Sequence, residues 1–130
     1  MKIAHLALWT LHLEELRTFY IRYFDGVSND KYTNPAKGFE SYFIRFGEGC
    51  ALELMRRSDI SRKAERPHTG YCHMAFECAG REEVDTRTER LRNDGYRIVG
   101  EPRTTGDGFY ESVIADPDGN LIELTYDNGR

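Results

Sequence analysis

Asp116-Pro-Asp-Gly-Asn-Leu-Ile-Glu-Leu124 ends on a carboxylate set between aliphatic residues, and an earlier stretch, Cys50-Ala-Leu-Glu-Leu54, ends the same way. Each belongs to a half of the chain that opens with a strand-like run containing histidine: His5-Leu-Ala-Leu8 in the first, His73-Met-Ala-Phe76 in the second. The histidine and the glutamate lie 48 residues apart in one copy and 50 in the other. The chain therefore states one unit twice. A duplicated unit with one His and one Glu per copy offers four metal donors.

Working outward from these stretches gives the same order of elements in both halves. Residues 3–9 alternate as a strand, with Leu6 and Leu8 on one face and His5, Ala7 and Trp9 on the other. Leu13, Leu16, Phe19, Tyr20, Tyr23 and Phe24 recur at helical spacing, so residues 13–24 read as a helix that Asp25-Gly26 ends. Strands follow at 27–33, 40–47 and 50–56, separated by Asn34-Pro35 and Gly47-Glu48-Gly49. The second half reads as a strand at 71–78, a helix at 81–94, and strands at 96–101, 109–115 and 121–126. Glu82 and Glu83 suit the helix start, Gly95 its end, and Asp116-Pro117-Asp118-Gly119 a tight turn. The order is βαβββ, twice, an α+β class, with modules at about 1–57 and 70–128 of one domain spanning 1–130. Between them, residues 58–70 carry Arg62, Lys63 and Arg66 and read either as a solvated linker or as a loop that meets an anionic substrate.

Composition narrows the function. Charged residues make up 31% and apolar residues 39% of 130, a globular balance. At roughly 65 residues, each half is marginal alone, so the halves are expected to share a core or exchange surfaces with another chain. A net charge of −4 and the lack of a long basic run give no reason to invoke nucleic acid. Met1-Lys2 leads directly into a strand-like run and no stretch reaches the ~20 apolar residues of a membrane span, so a cytoplasmic protein is expected. Cys50, Cys72 and Cys78 are odd in number and have no zinc-type spacing, which fits reduced, structural thiols.

Strand parity brings the four polar residues onto one kind of surface. Glu53 lies between Leu52 and Leu54, and Glu123 between Ile122 and Leu124. Neighbours on a strand point to opposite faces, so aliphatics packed under a helix turn each Glu away from it. His5 and His73 share that parity if Leu6/Leu8 and Met74/Phe76 mark the helix side. Taken singly, such a Glu is a solvated strand residue and such a His a structural one. Their recurrence at matched places in both copies points instead to a shared metal site. Two imidazoles and two carboxylates suit Ni, Co, Zn, Mn or Fe as divalent ions rather than structural zinc. Such an ion polarises a carbonyl, and a nearby Glu can take and return the α-proton.

On these residues the chain resembles the vicinal oxygen chelate superfamily, which includes glyoxalase I, methylmalonyl-CoA epimerase, extradiol dioxygenases and the fosfomycin and bleomycin resistance proteins. The resemblance covers essentially the whole chain. It rests on the paired modules, the helix motif Leu16-Arg-Thr-Phe-Tyr20 and the ending Asp116 to Leu124. It implies an incomplete barrel-like sheet cleft around a metal held by His5, Glu53, His73 and Glu123. The His, Glu, His, Glu set is most similar to short bacterial glyoxalase I, and by that resemblance Glu53 and Glu123 are the proton-shuttling carboxylates. In those relatives the modules pair between chains, which implies a homodimer whose metal site draws on both subunits.

Two positions depart from the glyoxalase I pattern. An Arg that would hold a glutathione carboxylate is replaced by Trp9, and an Asn on glutathione is replaced by Arg57. An indole cannot offer the guanidinium fork. Trp9 and Arg57 are thus the candidate substrate-binding residues, and the thiol stays open.

The leading expectation is a metal-dependent lyase or isomerase acting on a small α-oxo compound. The alternatives are an epimerase- or dioxygenase-like metalloenzyme of the same superfamily, or a drug-sequestering protein without turnover. Ala7, Ala51, Met55 and Ala75 share the donor parity and can leave room for substrate. His12 and His68 read as surface residues, Cys72 and Cys78 as buried packing, and Cys50 as partly exposed.

Overall fold

The computed structural model describes residues 1–129. The chain divides into two compact units, one of residues 1–65 and one from residue 66 onward. Each builds one open sheet with one long helix, and neither sheet closes into a barrel.

In the first unit, α1 (Leu13–Phe24) buries the six apolar positions that its periodicity marks. Glu14 and Glu15 occupy its first turn, and Asp25 ends it in the left-handed conformation. Gly26 is required by close approach, because a Cβ there would lie 2.5 Å from Ile44. The sheet contains β1 (His5–Trp9), β2 (Val27–Ser28), β3 (Tyr32–Asn34), β4 (Phe39–Arg45) and β5 (Ala51–Arg57). Its order is β1-β5-β4-β2, with β3 also on β4. β1 runs parallel to β5, and the other pairs are antiparallel. Tyr42, Ile44, Leu52 and Leu54 are buried, and the Tyr42 hydroxyl donates to the Glu14 carboxylate on α1.

The expected strand over 27–33 is two short strands. Asn29 explains the break, since its side-chain oxygen accepts from the Phe43 amide at 2.8 Å and ends the regular ladder. Pro35–Lys37 then form a 3-10 turn, which Gly38 closes at φ 59°.

The second unit repeats the plan with β6 (His73–Glu77), α2 (Arg81–Asn93), β7 (Ile98–Thr104), β8 (Phe109–Ala115) and β9 (Leu121–Asp127). Its order is β6-β9-β8-β7, and β6 runs parallel to β9. Val84 and Leu91 of α2 are buried, as are Ile114, Ile122 and Leu124 of the sheet. Thr88 is buried as well, and its hydroxyl meets the Val84 carbonyl at 2.6 Å and Ser112 Oγ at 2.8 Å. The Asp116 carboxylate accepts from the amides of Asp118 and Asn120, which shapes the turn into β9. β7 starts later than the expected 96–101, because the Tyr96 amide still caps the Leu91 carbonyl of α2. It is an edge strand with register shifts around Gly100 and a proline, Pro102, that an edge tolerates. Cys72 precedes β6 and is exposed, contrary to the expectation of burial, whereas Cys78 is buried.

Candidate metal centre

The pairing of β1 with β5, and of β6 with β9, sets the donors. His5 stands level with Ala51, and Ala7 with Glu53. His73 stands level with Leu121, and Ala75 with Glu123. In each unit the imidazole and the carboxylate are diagonal neighbours on adjacent parallel strands, with an alanine methyl beside the carboxylate. The buried Leu52 and Leu54, and Ile122 and Leu124, force both glutamates onto the face away from the helix. The expected parity holds in both copies.

His5 Nε2 lies 3.8 Å from Glu53 Oε1, and His73 Nε2 lies 3.1 Å from Glu123 Oε1. The imidazoles are open, 47% and 40% exposed, whereas the carboxylates are 16% and 18% exposed. Two donors at about 2.1 Å from one cation stand about 3.0 Å apart at an octahedral edge and about 3.4 Å at a tetrahedral one. The His73–Glu123 pair already has that bite. The His5–Glu53 pair, at 3.8 Å, is wider than either value. The chemistry of both pairs fits a borderline divalent ion. Among the described residues, no three His, Cys, Asp or Glu side chains gather as a cation site. The candidate donors come two at a time, one pair in each unit.

Phe43 stands level with Glu53 on the neighbouring strand and packs edge-on against His5, with ring centroids 5.3 Å apart. Trp9 and Arg57 also lie together. The Arg57 guanidinium is 4.7 Å from the Trp9 ring centre, and its Nε bonds Asp59. Phe39 also meets the indole edge-on, with ring centroids 6.2 Å apart. The stack orients the guanidinium on the face that carries His5 and Glu53.

One buried carboxyl of the second unit was not legible in the sequence. Glu111 is buried on β8, on the Glu123 face, where its carboxyl interacts with that of Glu123. Burial first, and then the Glu123 carboxylate, push its pKa up. Residues 109–115, Phe-Tyr-Glu-Ser-Val-Ile-Ala, lack a clean apolar alternation, so parity gave Glu111 no face.

Residues 2–124 match the family described as the Glyoxalase/Bleomycin resistance protein/Dioxygenase superfamily. The uncharacterized protein YqjT of Bacillus subtilis (strain 168) is 27% identical over 123 residues, covering 92% of this chain and 94% of YqjT. A glyoxylase/bleomycin resistance protein/dioxygenase domain from Frankia sp. EAN1pec superposes with a TM-score of 0.86 at 14% identity, over 100% of this chain and 95% of that one. Glyoxalase I of Leishmania major superposes at 0.79 with 22% identity, over 98% and 87%. A point mutant of glyoxalase I from Zea mays superposes at 0.81 with 23% identity, over 95% of this chain but only 44% of the maize one. These structural likenesses are ones of fold. With the family match spanning nearly the full length and the same duplicated units in the structure, the chain belongs to the glyoxalase/bleomycin resistance protein/dioxygenase superfamily.

Proposed function

We propose that this protein is a metal-dependent lyase or isomerase of the glyoxalase I type, moving a proton beside a carbonyl of a small α-oxo substrate. The observation that carries this reading is the repeated diagonal His–Glu pair, in the same register in both units. His5 and Glu53 of one subunit join His73 and Glu123 of a second copy, so that a homodimer completes the donor set. Ni, Co, Zn, Mn and Fe as divalent ions all suit these donors. A bound ion supplies Lewis-acid polarisation of the substrate carbonyl. Glu53 and Glu123, shielded more than their histidines, take the proton from the carbon beside the carbonyl and return it to the neighbouring carbon. Trp9 and Arg57 form one wall for the rest of the substrate.

Metal analysis of the purified protein, followed by hemithioacetal isomerisation with methylglyoxal and a panel of thiols including glutathione, tests the reading. Stoichiometric divalent metal and thiol-dependent turnover that Glu123→Gln abolishes are expected. A protein that takes up no divalent ion, or a Glu123→Gln variant with full turnover, would overturn it.

A further inference from the structure

The donor pair repeats in both units, but the residues beside it do not. In the first unit, the strand row that starts at His5 continues to Ala51, and Ile44↔Leu52 pairing brings Arg45 level with Ala51. The matching row in the second unit is His73, Leu121, Ala115. Where the second unit has a leucine and then a methyl group, the first has a methyl group and then a guanidinium. Adjacent strands are about 4.8 Å apart, so His5 and Arg45 start about 10 Å from each other, with only the Ala51 methyl between them.

That difference opens a cleft of about 590 Å³ in the first unit. His5 and Phe43 form its inner end, Arg45 and Lys2 its cationic sides, and the turn 47–49 its outer edge. Glu48 on that turn is the one carboxylate in the lining. Lys2 and Arg45 form no ion pair among the described residues, in contrast to Arg57, which holds Asp59. Two uncommitted cations thus face a small, open space that begins at a candidate metal donor. An unpaired guanidinium fork beside such a space is suited to an oxyanion.

We propose that this cleft is the subsite for an oxyanion of the substrate, a carboxylate or a phosphate seated against Arg45 and Lys2. The substrate class is then a small anionic α-oxo compound. Its carbonyl points toward His5 and Glu53, a direction that rests on the function proposed above. The anion site itself does not rest on that reading, since it is complete without a metal.

The test uses the full chain freed of metal by chelation, at constant ionic strength. Inorganic phosphate and pyruvate are titrated separately while the backbone amides of Gly47, Gly49 and Ala51 are followed by NMR. Saturable shifts at these amides are expected, with phosphate, pyruvate or both, and the more tightly bound probe identifies the source of the oxyanion. Arg45→Gln should weaken binding at least about tenfold, since a charge-assisted pair is lost. Ala51→Leu, which copies Leu121, should abolish it by filling the floor. Circular dichroism confirms that these two variants and Lys2→Gln fold. Shifts absent at these amides, or an affinity unchanged in both Arg45→Gln and Lys2→Gln, would overturn the proposal. Ni²⁺ binding is measured in parallel. Anion binding that persists in a protein unable to bind Ni²⁺ supports the cleft while removing the metal reading, so the two failures are distinguishable.

Discussion

Divalent metal should stabilise this fold by an amount that can be worked out beforehand. On the function proposed above, each unit contributes two donors, so an ion held by all four would bind only where both kinds of unit are folded. Its binding energy is then folding energy. An ion at 100 times its dissociation constant adds about 2.7 kcal/mol. With an unfolding entropy of about 2.1 cal/mol/K per residue, a chain of 130 residues gains about 10 °C in Tm. Losing one donor weakens the site at least about tenfold, or about 1.4 kcal/mol, which removes roughly 5 °C of that gain. The two pairs should not be equivalent. His73 and Glu123 already stand 3.1 Å apart, whereas His5 and Glu53 stand at 3.8 Å and must close. Losing the preset pair forfeits more, so His73→Ala should reduce the metal-induced shift further than His5→Ala. The assay is thermal unfolding by circular dichroism at fixed protein concentration, after chelation and then with each of Ni²⁺, Co²⁺, Zn²⁺, Mn²⁺ and Fe²⁺. A shift below about 1 °C with every ion, against the ~10 °C worked above, refutes the reasoning. So does a full shift that survives His73→Ala and Glu123→Gln.

Three further outcomes follow from groups outside the donor pairs. Thr88→Val leaves Ser112 Oγ buried without its 2.8 Å partner and should cost about 1–3 kcal/mol in urea unfolding. Glu111→Gln in the metal-free protein should change stability with pH in a defined direction. The folded state raises the Glu111 pKa, so it holds the proton more tightly than the unfolded chain does. The resulting cost is absent below the unfolded carboxyl range, grows as pH rises through the folded value, and is complete above it. The Gln variant should therefore gain on the parent between pH 4 and pH 8 in chemical unfolding, and equal stabilities at both pH values would refute this. Iodoacetamide at pH 8 should label exposed Cys72 in the native protein but spare Cys78, whose thiol burial pushes up to about 11 until urea exposes it; mass spectrometry reads the sites.

Much of the placement of the candidate donors was legible because strand parity is a local property. Leu52 and Leu54 say where Glu53 points without any knowledge of its neighbours, and Ile122 and Leu124 do the same for Glu123. The helix at 13–24 was legible for the same reason, since its apolar stripe, its acidic start and its Asp25-Gly26 stop all agree. Pairing is not local. Nothing in His5-Leu-Ala-Leu8 says that β1 lies parallel to β5 with Ala7 beside Glu53, yet that register makes the imidazole and carboxylate neighbours. The break at Asn29 was hidden because it depends on the Phe43 amide, 14 residues away. Cys72 was misread because parity was extended one residue beyond the start of β6. Glu111 was missed because a segment covered on both faces loses its alternation.

The comparison between units separates what the two copies hold in common from what each adds. The His–Glu diagonal is common to both, and so is an alanine, Ala7 or Ala75, level with the carboxylate. A cation asks only for donors at a fixed bite, so duplicated units can meet it with the same residues twice. A substrate has no such internal symmetry. The positions that flank the diagonal accordingly differ in charge and size: Arg45 against Ala115, Ala51 against Leu121, Trp9 against Glu77, and Ser41 against the buried Glu111. The first unit is cationic and aromatic around its donors, and the second is acidic beside Glu123. On the anion subsite proposed above, an anionic substrate arm would be favoured beside the first donor pair, where Arg45 and Lys2 supply positive charge. The two glutamates therefore stand in unlike surroundings: Glu53 is level with Phe43, and Glu123 is level with Val113 on the face that also carries the buried Glu111.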